Sequence, residues 1–251
     1  MKPKQALITG STHGIGRATA EALLAQGWAV TGIDREASDL RHPNYHHTEL
    51  DLCSPEVGEA FARVYRALLP ELTIHSAGVG IMQAFWASSH DADQRLLALN
   101  VGATYAITKV FAAEAMNRQT PQHLILLSSL AGLSATPGMA LYAASKHFVS
   151  GLAKSVHAEL AVDAPWARVS SLAPPPVRTQ FRQHSGRLAR SKRIRGVLEV
   201  NVVVRELLML HRRPQLDRIP GRLHRWVFTY LRPLIPSRLL LRRVYLSAKS
   251  D

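Results

Sequence analysis

The sequence contains very little cysteine and no long run of apolar residues. Cys53 is the single cysteine among 251 residues, which excludes an internal disulfide and a thiolate metal cluster. No apolar stretch reaches the roughly 18 residues that a membrane-spanning helix needs, and no signal peptide fits before the first apolar run, which begins near Gln5. These absences favour a cytoplasmic protein, and we expect no metal site.

Acidic residues are scarce in the last third of the chain. Residues 1–177 carry a formal net charge of −1 and residues 178–251 carry +14, which together give the total of +13. The contents of 47% hydrophobic and 20% charged residues are ordinary for a globular protein, and the length suits one α/β domain with a large core. The basic last third therefore needs an explanation of its own.

Apolar runs alternate with helical patterns along most of the chain. This alternation predicts one doubly wound, Rossmann-like, mostly parallel sheet with helices on both faces. The predicted strands are 5–9, 29–33, 46–50, 72–75, 123–127 and 168–173, with a short final strand at 215–219. The predicted helices are 15–26, 54–69, 91–117, 142–161 and 197–211. We expect a dinucleotide-binding catalytic domain over residues 1–220 and a basic C-terminal extension over 221–251.

A glycine-rich turn lies between the first strand and the first helix. It reads Thr-Gly-Ser-Thr-His-Gly-Ile-Gly and begins at Thr9. Glycines let the backbone approach a pyrophosphate closely, and the following helix start offers free N–H groups. The alternative is a tight loop without a ligand. The phosphate-binding interpretation predicts cofactor contacts from six residues: Gly10, Ser11, His13, Gly14, Ile15 and Gly16.

The end of the second strand bears on the choice of dinucleotide. A carboxylate there accepts hydrogen bonds from ribose hydroxyls and repels a 2′-phosphate, so Asp34 favours NAD(H). Arg35 and His13 are basic and favour NADP(H). We expect NAD(H) to be preferred, with NADP(H) as the alternative.

Three residues further along form a possible catalytic centre. Tyr142 and Lys146 are four residues apart and share one face of a predicted helix. A nearby ammonium favours the phenolate, and a tyrosine tuned in this way can exchange a proton with an alcohol or carbonyl. Ser129, after the fifth strand, can hydrogen-bond the substrate oxygen where charge develops. The alternatives without catalysis are that Tyr142 and Lys146 belong to a solvated helix face and that Ser129 only forms a turn.

Residues 4–180 resemble the short-chain dehydrogenase/reductase family. The turn matches its Thr-Gly-x-x-x-Gly-Ile-Gly pattern, and Ser129, Tyr142 and Lys146 match its catalytic centre. The resemblance implies that Asn100 kinks its helix and positions a water for a proton relay through the lysine. It also implies cofactor contacts from Tyr142 and Lys146 themselves and from six other residues: Asp51, Leu52, Ala77, Gly78, Val177 and Thr179. For Asp51, helix capping is the alternative.

The sequence departs from the family pattern in two places. The family's Asn-Asn-Ala-Gly after the fourth strand reads His75-Ser76-Ala77-Gly78 here, which loses both amides. Its Pro-Gly step has become Pro174-Pro175, which removes an N–H and stiffens the floor of the nicotinamide site. Neither change removes a group that transfers a proton.

The basic last third contains an amphipathic pattern over residues 221–234, with a second helix predicted over 237–246. Six apolar residues fall on one helical face: Leu223, Trp226, Val227, Tyr230, Leu231 and Leu234. This face can cover the core of its own domain or a dimer partner. It can also lie on an anionic membrane or meet an acidic partner such as an acyl carrier protein. Nucleic acid is disfavoured because no aromatic–basic interleaving is present.

These features predict an oxidoreductase that interconverts a secondary alcohol and a ketone or aldehyde. We expect an apolar, lipid- or steroid-like substrate, a homo-oligomer (dimer or tetramer), and a cytoplasmic protein that can lie at the inner face of a membrane. The alternatives are a non-catalytic dinucleotide sensor and a membrane- or acyl-carrier-associated adaptor on the same fold. The four catalytic candidates argue against the sensor, which needs the glycine turn but not the acid.

Overall fold

A computed structural model describes residues 2–181, 196–235, 241–242 and 245–246. Seven strands form one parallel sheet in the order β3-β2-β1-β4-β5-β6-β7. The strands are β1 Gln5–Thr9, β2 Ala29–Asp34, β3 Tyr45–Glu49, β4 Leu72–His75, β5 Gln122–Leu127, β6 Ala167–Leu172 and β7 Asp217–Arg218. The order reverses between β1 and β4, and this is where an open α/β sheet forms its ligand crevice.

The helices lie on both faces of the sheet. They are α1 Gly14–Leu24, α2 Val57–Leu68, α3 His90–Leu97, α4 Thr104–Asn117, α5 Ala140–Asp163, α6 Val200–Arg212 and α7 Arg222–Trp226. α1 and α6 pack on one face through residues such as Leu23 and Leu207. α2, α4 and α5 pack on the other, with Phe61, Phe111 and Val149 in that core. The predicted doubly wound fold is confirmed.

The central strands are buried on both faces. Every residue of β5 is buried, and so is every residue of β4. Strands covered by helices on both sides read as continuous apolar runs, which is why the sequence predicted them well. Strand β3 lies at an edge and is mostly polar, as edge strands commonly are.

Several predicted boundaries differ from the structure. α2 begins at Val57 rather than at residue 54, because Ser54 and Glu56 form a turn in which the Ser54 hydroxyl accepts the N–H of Glu56. α6 begins at Val200 rather than at 197, because Leu198 bridges to Val177. The predicted second C-terminal helix, 237–246, lies largely outside the described residues.

We expected no stretch long and apolar enough to span a membrane. By the criteria of length and composition alone, this expectation was wrong. Residues His90–Asn117 form one helical run of 28 residues that is apolar enough for a span. Its α4 portion, however, buries Ile107 and Phe111 in the core beside the sheet. A core helix of a folded domain meets the same criterion, so this run does not indicate a membrane protein.

Candidate active site

The glycine turn lies at the carboxyl end of β1, at the point where the strand order reverses. Gly10 and Gly14 have positive φ angles of 68° and 58°, which glycine adopts at no steric cost. A Cβ on Gly16 would lie 2.0 Å from the carbonyl oxygen of Gly10, and one on Gly10 would lie 2.8 Å from the backbone of Ala77. Side chains are therefore excluded where the backbone folds most tightly.

The turn leads directly into α1, whose first turn has no acidic residue. The first N–H groups of a helix have no partner within it and carry the positive end of its dipole. Ile15 is half-buried here, and Ser11 is buried with its hydroxyl 3.4 Å from that of Tyr45. A backbone cradle with an anion-attracting helix start fits the pyrophosphate of a dinucleotide.

Asp34, at the end of β2, is held by the turn itself. Its Oδ2 accepts the hydroxyl of Thr12 at 2.6 Å and the N–H of Thr12 at 3.2 Å. The two neighbouring basic residues both face Glu36: His13 Nδ1 lies 3.7 Å from its carboxylate and Arg35 lies 3.6 Å from it. A negative group thus offsets the bases that would favour a 2′-phosphate.

Asp51 and Leu52 follow β3 as expected, with different exposure. Asp51 is exposed and its Oδ1 accepts the N–H of Cys53 at 2.9 Å, while Leu52 is buried. Asp51 therefore closes a turn and does not cap α2, whose N-terminal boundary residue is Glu56.

Ser129, Tyr142 and Lys146 come together at the carboxyl ends of β4 and β5. Ser129 follows β5, where its Oγ accepts the N–H of Ala131, and Tyr142 lies in the first turn of α5. Burial raises the pKa of Tyr142 to about 12, and its hydrogen bond with Ser129 acts in the opposite direction. At neutral pH the phenol therefore keeps its proton. The expected depression of this pKa by Lys146 is not found, since burial is the main cause of the shift and the opposing contribution comes from Ser129.

Lys146 is buried one helical turn beyond Tyr142. Its Nζ donates to the carbonyl oxygen of Leu127 at 2.9 Å and lies 5.9 Å from the centroid of the Tyr142 ring. Burial lowers the pKa of Lys146 to about 8, so the amine loses its charge as the pH rises through that value. An ammonium in this position can act on the phenol and on a ribose.

Asn100 lies in a π-helical turn, Ala98–Ala103, between α3 and α4. This turn lies at the position where the resemblance implied a kink. The Asn100 amide makes a two-way bond with Val79, whose N–H donates to Oδ1 at 2.9 Å and whose carbonyl accepts from Nδ2 at 2.8 Å. Nδ2 also donates to the hydroxyl of Ser145 at 3.1 Å. Asn100 therefore joins the loop after β4 to the helix that carries Lys146.

Ala77 and Gly78 lie between the glycine turn and this centre. A Cβ on Gly78 would be 3.2 Å from Asn100 Oδ1 and 3.3 Å from Lys146 Nζ. The absence of a side chain keeps a narrow gap open between the amide and the ammonium. The Ala77-Gly78 pair, which is retained from the family pattern, thus lies beside both the glycine turn and the Asn100 and Lys146 side chains.

The segment after β6 forms the last wall of the site. Val177 is buried, and the side chain of Thr179 would lie 3.5 Å from a Cβ on Gly14. The Phe181 ring packs against Tyr142 with 5.9 Å between centroids. Pro174, the proline that is retained from the family pattern, accepts the backbone N–H of Leu130 at 3.0 Å, so the floor of the site keeps its connection to the loop of Ser129.

Sequence reasoning missed two residues that organise the site. Thr12 orients Asp34, and Thr104 donates its hydroxyl to the carbonyl of Asn100 at 2.8 Å. Thr12 stands at a variable position of the glycine pattern, and Thr104 lies four residues beyond Asn100. Only the i, i+4 spacing of Thr104 offered a signal, since threonines in helices often bond the carbonyl four residues back.

A phosphate-binding turn and a tyrosine–lysine pair at one edge of a doubly wound sheet are typical of oxidoreductases that use a nicotinamide dinucleotide. A family model described as short chain dehydrogenase matches residues 4–188. The chain belongs to this family, and the enzyme class predicted from its sequence is confirmed.

Individual relatives agree with this assignment. The chain is 28% identical over 216 residues to "Carbonyl reductase [NADPH] 2" of Sus scrofa, covering 82% of this chain and 88% of that protein. Its fold is similar to a short chain dehydrogenase from Burkholderia cenocepacia in complex with NADP, with a TM-score of 0.79, 23% identity and 98% of each chain covered. A short-chain enzyme from Burkholderia phymatum in complex with NAD has a TM-score of 0.76, 21% identity and 92% coverage of each. The predicted use of a nicotinamide dinucleotide is supported.

Proposed function

We propose that this enzyme interconverts a secondary alcohol and a ketone, or a primary alcohol and an aldehyde, with Tyr142 as its general acid and base. The observation that carries the proposal is the meeting of Tyr142, Ser129 and Lys146 at the sheet edge that also holds the glycine turn. A bound nicotinamide dinucleotide supplies or accepts the hydride of this reaction. The residues of the chain bind the reactants and manage the proton.

In the direction of reduction, the Tyr142 hydroxyl donates its proton to the substrate oxygen as negative charge develops there. Burial keeps the phenol protonated, with a pKa near 12, so the acid is ready at neutral pH. The hydroxyl of Ser129 donates a hydrogen bond to the same oxygen and stabilises its charge. In oxidation the same atoms act in reverse, and the charge of Lys146 favours the phenolate that removes the alcohol proton.

An apolar substrate fits the surroundings of Tyr142. The ring of Phe181 packs on the phenol, and the segment after β4 exposes Phe85 and Trp86, which we propose as further apolar contacts of the substrate. Apolar walls around one polar reacting end are typical of sites for lipid-like alcohols and carbonyls. The relative from Sus scrofa is named a carbonyl reductase, which supports the reaction class.

Replacing the phenol tests the reaction. Tyr142→Phe should reduce turnover of a carbonyl substrate by about a thousandfold or more while dinucleotide binding is kept. Tyr105→Phe is the matched control, because Tyr105 is an exposed tyrosine on α4. Full activity in Tyr142→Phe would contradict the proposal. Binding of dinucleotide without turnover of any alcohol or carbonyl by the wild type would favour a sensor.

For the cofactor, we propose a preference for NAD(H) over NADP(H). The supporting observation is that Asp34 is fixed by two bonds from Thr12 while Arg35 and His13 face Glu36. We also propose a homo-oligomer (dimer or tetramer), supported by the exposed Tyr105 and Met116 on α4. Sedimentation velocity at several protein concentrations tests the assembly, and a monomer throughout would contradict it.

We propose further that the C-terminal extension, residues 221–251, docks the enzyme on an anionic membrane. Its apolar face is exposed in the single chain: Leu223 is 70% exposed, Trp226 55%, Tyr230 64% and Leu234 77%. Residues 219–250 contain seven Arg or Lys and no Asp or Glu. An apolar face beside arginines suits a surface of anionic lipids, each arginine adding about 1 kcal/mol.

The described part of the extension lies on the same side of the sheet as the site. Arg232 donates to the Ser134 hydroxyl at 3.0 Å, and the Trp86 and Tyr245 rings are in contact with 6.4 Å between centroids. Ser134 follows β5 and Trp86 follows β4, so both contacts lie beyond the carboxyl ends of the strands. Docking would therefore bring the site to the lipid from which an apolar substrate comes.

Co-sedimentation with liposomes tests this docking. Binding should require phosphatidylserine and weaken at high salt, because mobile ions screen the attraction. Trp226→Glu should abolish it, whereas Val162→Glu should not, since Val162 is even more exposed apolar surface but lies at the far end of α5. Equal and negligible binding with and without phosphatidylserine at both salt concentrations would contradict the proposal and leave a subunit interface as the use of this face.

A further inference from the structure

His75 occupies the position where the sequence departs from its family, and both of its ring nitrogens are bonded. It ends β4 and is fully buried between strands and helix. Nδ1 lies 2.7 Å from the hydroxyl oxygen of Thr9, and Nε2 lies 3.0 Å from that of Thr104. Thr9 ends β1 and begins the glycine turn, and Thr104 is the first residue of α4. The ring therefore connects the dinucleotide-binding strand to the helix that follows Asn100.

The partners fix the direction of each bond. The Thr104 hydroxyl donates to the carbonyl oxygen of Asn100, which can only accept. Its oxygen must then accept the proton of His75, so that proton lies on Nε2. Nδ1 consequently accepts the hydroxyl of Thr9, whose oxygen receives the N–H of Ala77 at 3.4 Å. This set of donors and acceptors requires a neutral His75 ring, with one N–H and one free lone pair. Burial and the nearby Lys146 charge keep the ring neutral by lowering its pKa to about 3.

The array ends on the turn that holds the catalytic centre together. The Asn100 carbonyl belongs to the π-helical turn, and the Asn100 side chain bonds Val79 and Ser145. Ser145 adjoins Lys146 in α5. A rotation of the Asn100 turn would thus move the amide that borders the Lys146 ammonium across the narrow gap at Gly78.

We propose that His75 is a positioning residue, which fixes the Asn100 turn relative to the glycine turn through Thr104 and Thr9. The proposal rests on the proposed function of Tyr142 and Lys146, because its measured effect is on their turnover. The ring does not touch the reacting atoms. It replaces the amide of the family pattern with a rigid bridge that presents one donor and one acceptor on opposite sides.

Thr104 allows the bridge to be cut without removing the ring. Thr104→Val keeps the shape of the side chain and removes the hydroxyl, and Thr104→Ser keeps the hydroxyl. Thr108→Val is the matched control, since Thr108 is buried one turn further along α4 and its hydroxyl has no partner among the described residues. We expect Thr104→Val to lower kcat by about tenfold or more, with the dinucleotide Kd little changed. Thr104→Ser should restore kcat, and Thr108→Val should leave it unchanged.

Two results would distinguish this role from a packing effect, and a third would bear on the proposed function instead. A kcat effect of Thr104→Val no larger than that of Thr108→Val would overturn the proposal, whatever happens to Tm. A failure of Thr104→Ser to restore kcat would also overturn it. Retained turnover in Tyr142→Phe would instead overturn the proposed function and leave the hydrogen-bond array untouched.

The tautomer of His75 can be measured in the wild-type protein, and this decides the matter if Thr104→Val does not fold. Nitrogen-15 NMR of histidine-labelled protein, with the His75 resonances assigned so that they are distinguished from those of His123, should show that the His75 ring stays neutral with its proton on Nε2 throughout the working pH range. A proton on Nδ1, or a ring that becomes charged at mildly acidic pH, would reverse the required donors and overturn the proposal.

Discussion

The carboxylate of Asp34 accepts both the hydroxyl and the backbone N–H of Thr12, at 2.6 and 3.2 Å. These bonds join the end of β2 to the glycine turn and fix the carboxylate beside it. A carboxylate fixed in this way does not need to be ordered when a ribose binds. It also cannot turn away from a 2′-phosphate.

Replacing Asp34 should therefore change the choice of dinucleotide. Asp34→Ser is expected to weaken NADH binding by about tenfold or more, the value of a charge-assisted hydrogen bond, and to improve NADPH binding. Fluorescence titration of both reduced dinucleotides gives the two Kd values. Asp39→Asn is the control, because Asp39 is a neighbouring carboxylate that bonds Arg17 on the surface. Tighter binding of NADPH than of NADH by the wild type would contradict the proposed preference.

Gly16 should tolerate no side chain. The Cβ of alanine would lie 2.0 Å from the Gly10 carbonyl oxygen, so the turn would have to open. Gly16→Ala is expected to abolish dinucleotide binding and to lower Tm. Gly151→Ala makes the same change within α5, where a Cβ has nothing within 4 Å, and should raise stability by about 0.5–1 kcal/mol. Calorimetry and titration of both variants give the comparison, and unchanged binding in Gly16→Ala would show that the turn is not the phosphate site.

Local spacing explains what the sequence could predict. The glycine turn and the Tyr142–Lys146 pair each lie within eight consecutive residues, so their geometry follows from one turn or one helical repeat. The central strands were also predictable because burial on both faces leaves an apolar run. Contacts between distant segments were not predictable in this way. Thr104 and His75 are 29 residues apart, and their bond depends on how α4 packs against β4.

Burial is the second reason for the differences. The spacing of Tyr142 and Lys146 predicted a lowered phenol pKa, because it showed a charge nearby but not the loss of water around both groups. In the folded chain that loss raises the pKa of the phenol and lowers that of the amine. The resemblance likewise marked His75 as the loss of an amide, and only the folded structure shows both ring nitrogens bonded.

Lys146 should set the alkaline limit of the reduction. Burial lowers its pKa to about 8, so its ammonium is lost as the pH rises through that value in the free enzyme. Since the charge assists Tyr142 and binds the ribose in our proposal, kcat/KM for carbonyl reduction should fall above about pH 8. Lys146→Arg keeps its charge, so its normalised profile should stay flat to higher pH even if activity is lower. Lys109→Arg, at an exposed position of α4, should leave the profile unchanged, and a profile with no fall above pH 8 in the wild type would contradict this role.

His123 should make the folded state sensitive to mild acid. Its Nε2 donates to the Ser170 hydroxyl at 2.9 Å, because that hydroxyl donates to the carbonyl of Gln215. Nδ1 is buried against the His211 ring without a partner among the described residues, so a second proton on the ring would have no hydrogen-bond acceptor there. Burial accordingly lowers the pKa of His123 to about 3, and that of His75 falls equally far.

An unfolded imidazole binds its proton near pH 6.5, whereas these two rings resist protonation until the pH is about 3. Between those values the unfolded state binds more protons, so the free energy of unfolding rises with pH and falls as the solution is acidified. Each ring contributes a slope of about 1.4 kcal/mol per pH unit once its unfolded form is charged. His123→Gln should remove one such contribution, which urea titrations between about pH 5 and pH 6.5 can measure where most carboxylates stay ionised. His46→Gln, on the exposed side of edge strand β3, is the control and should keep the wild-type slope. Equal slopes in His123→Gln and the wild type would show that His123 already takes up its proton in the folded protein.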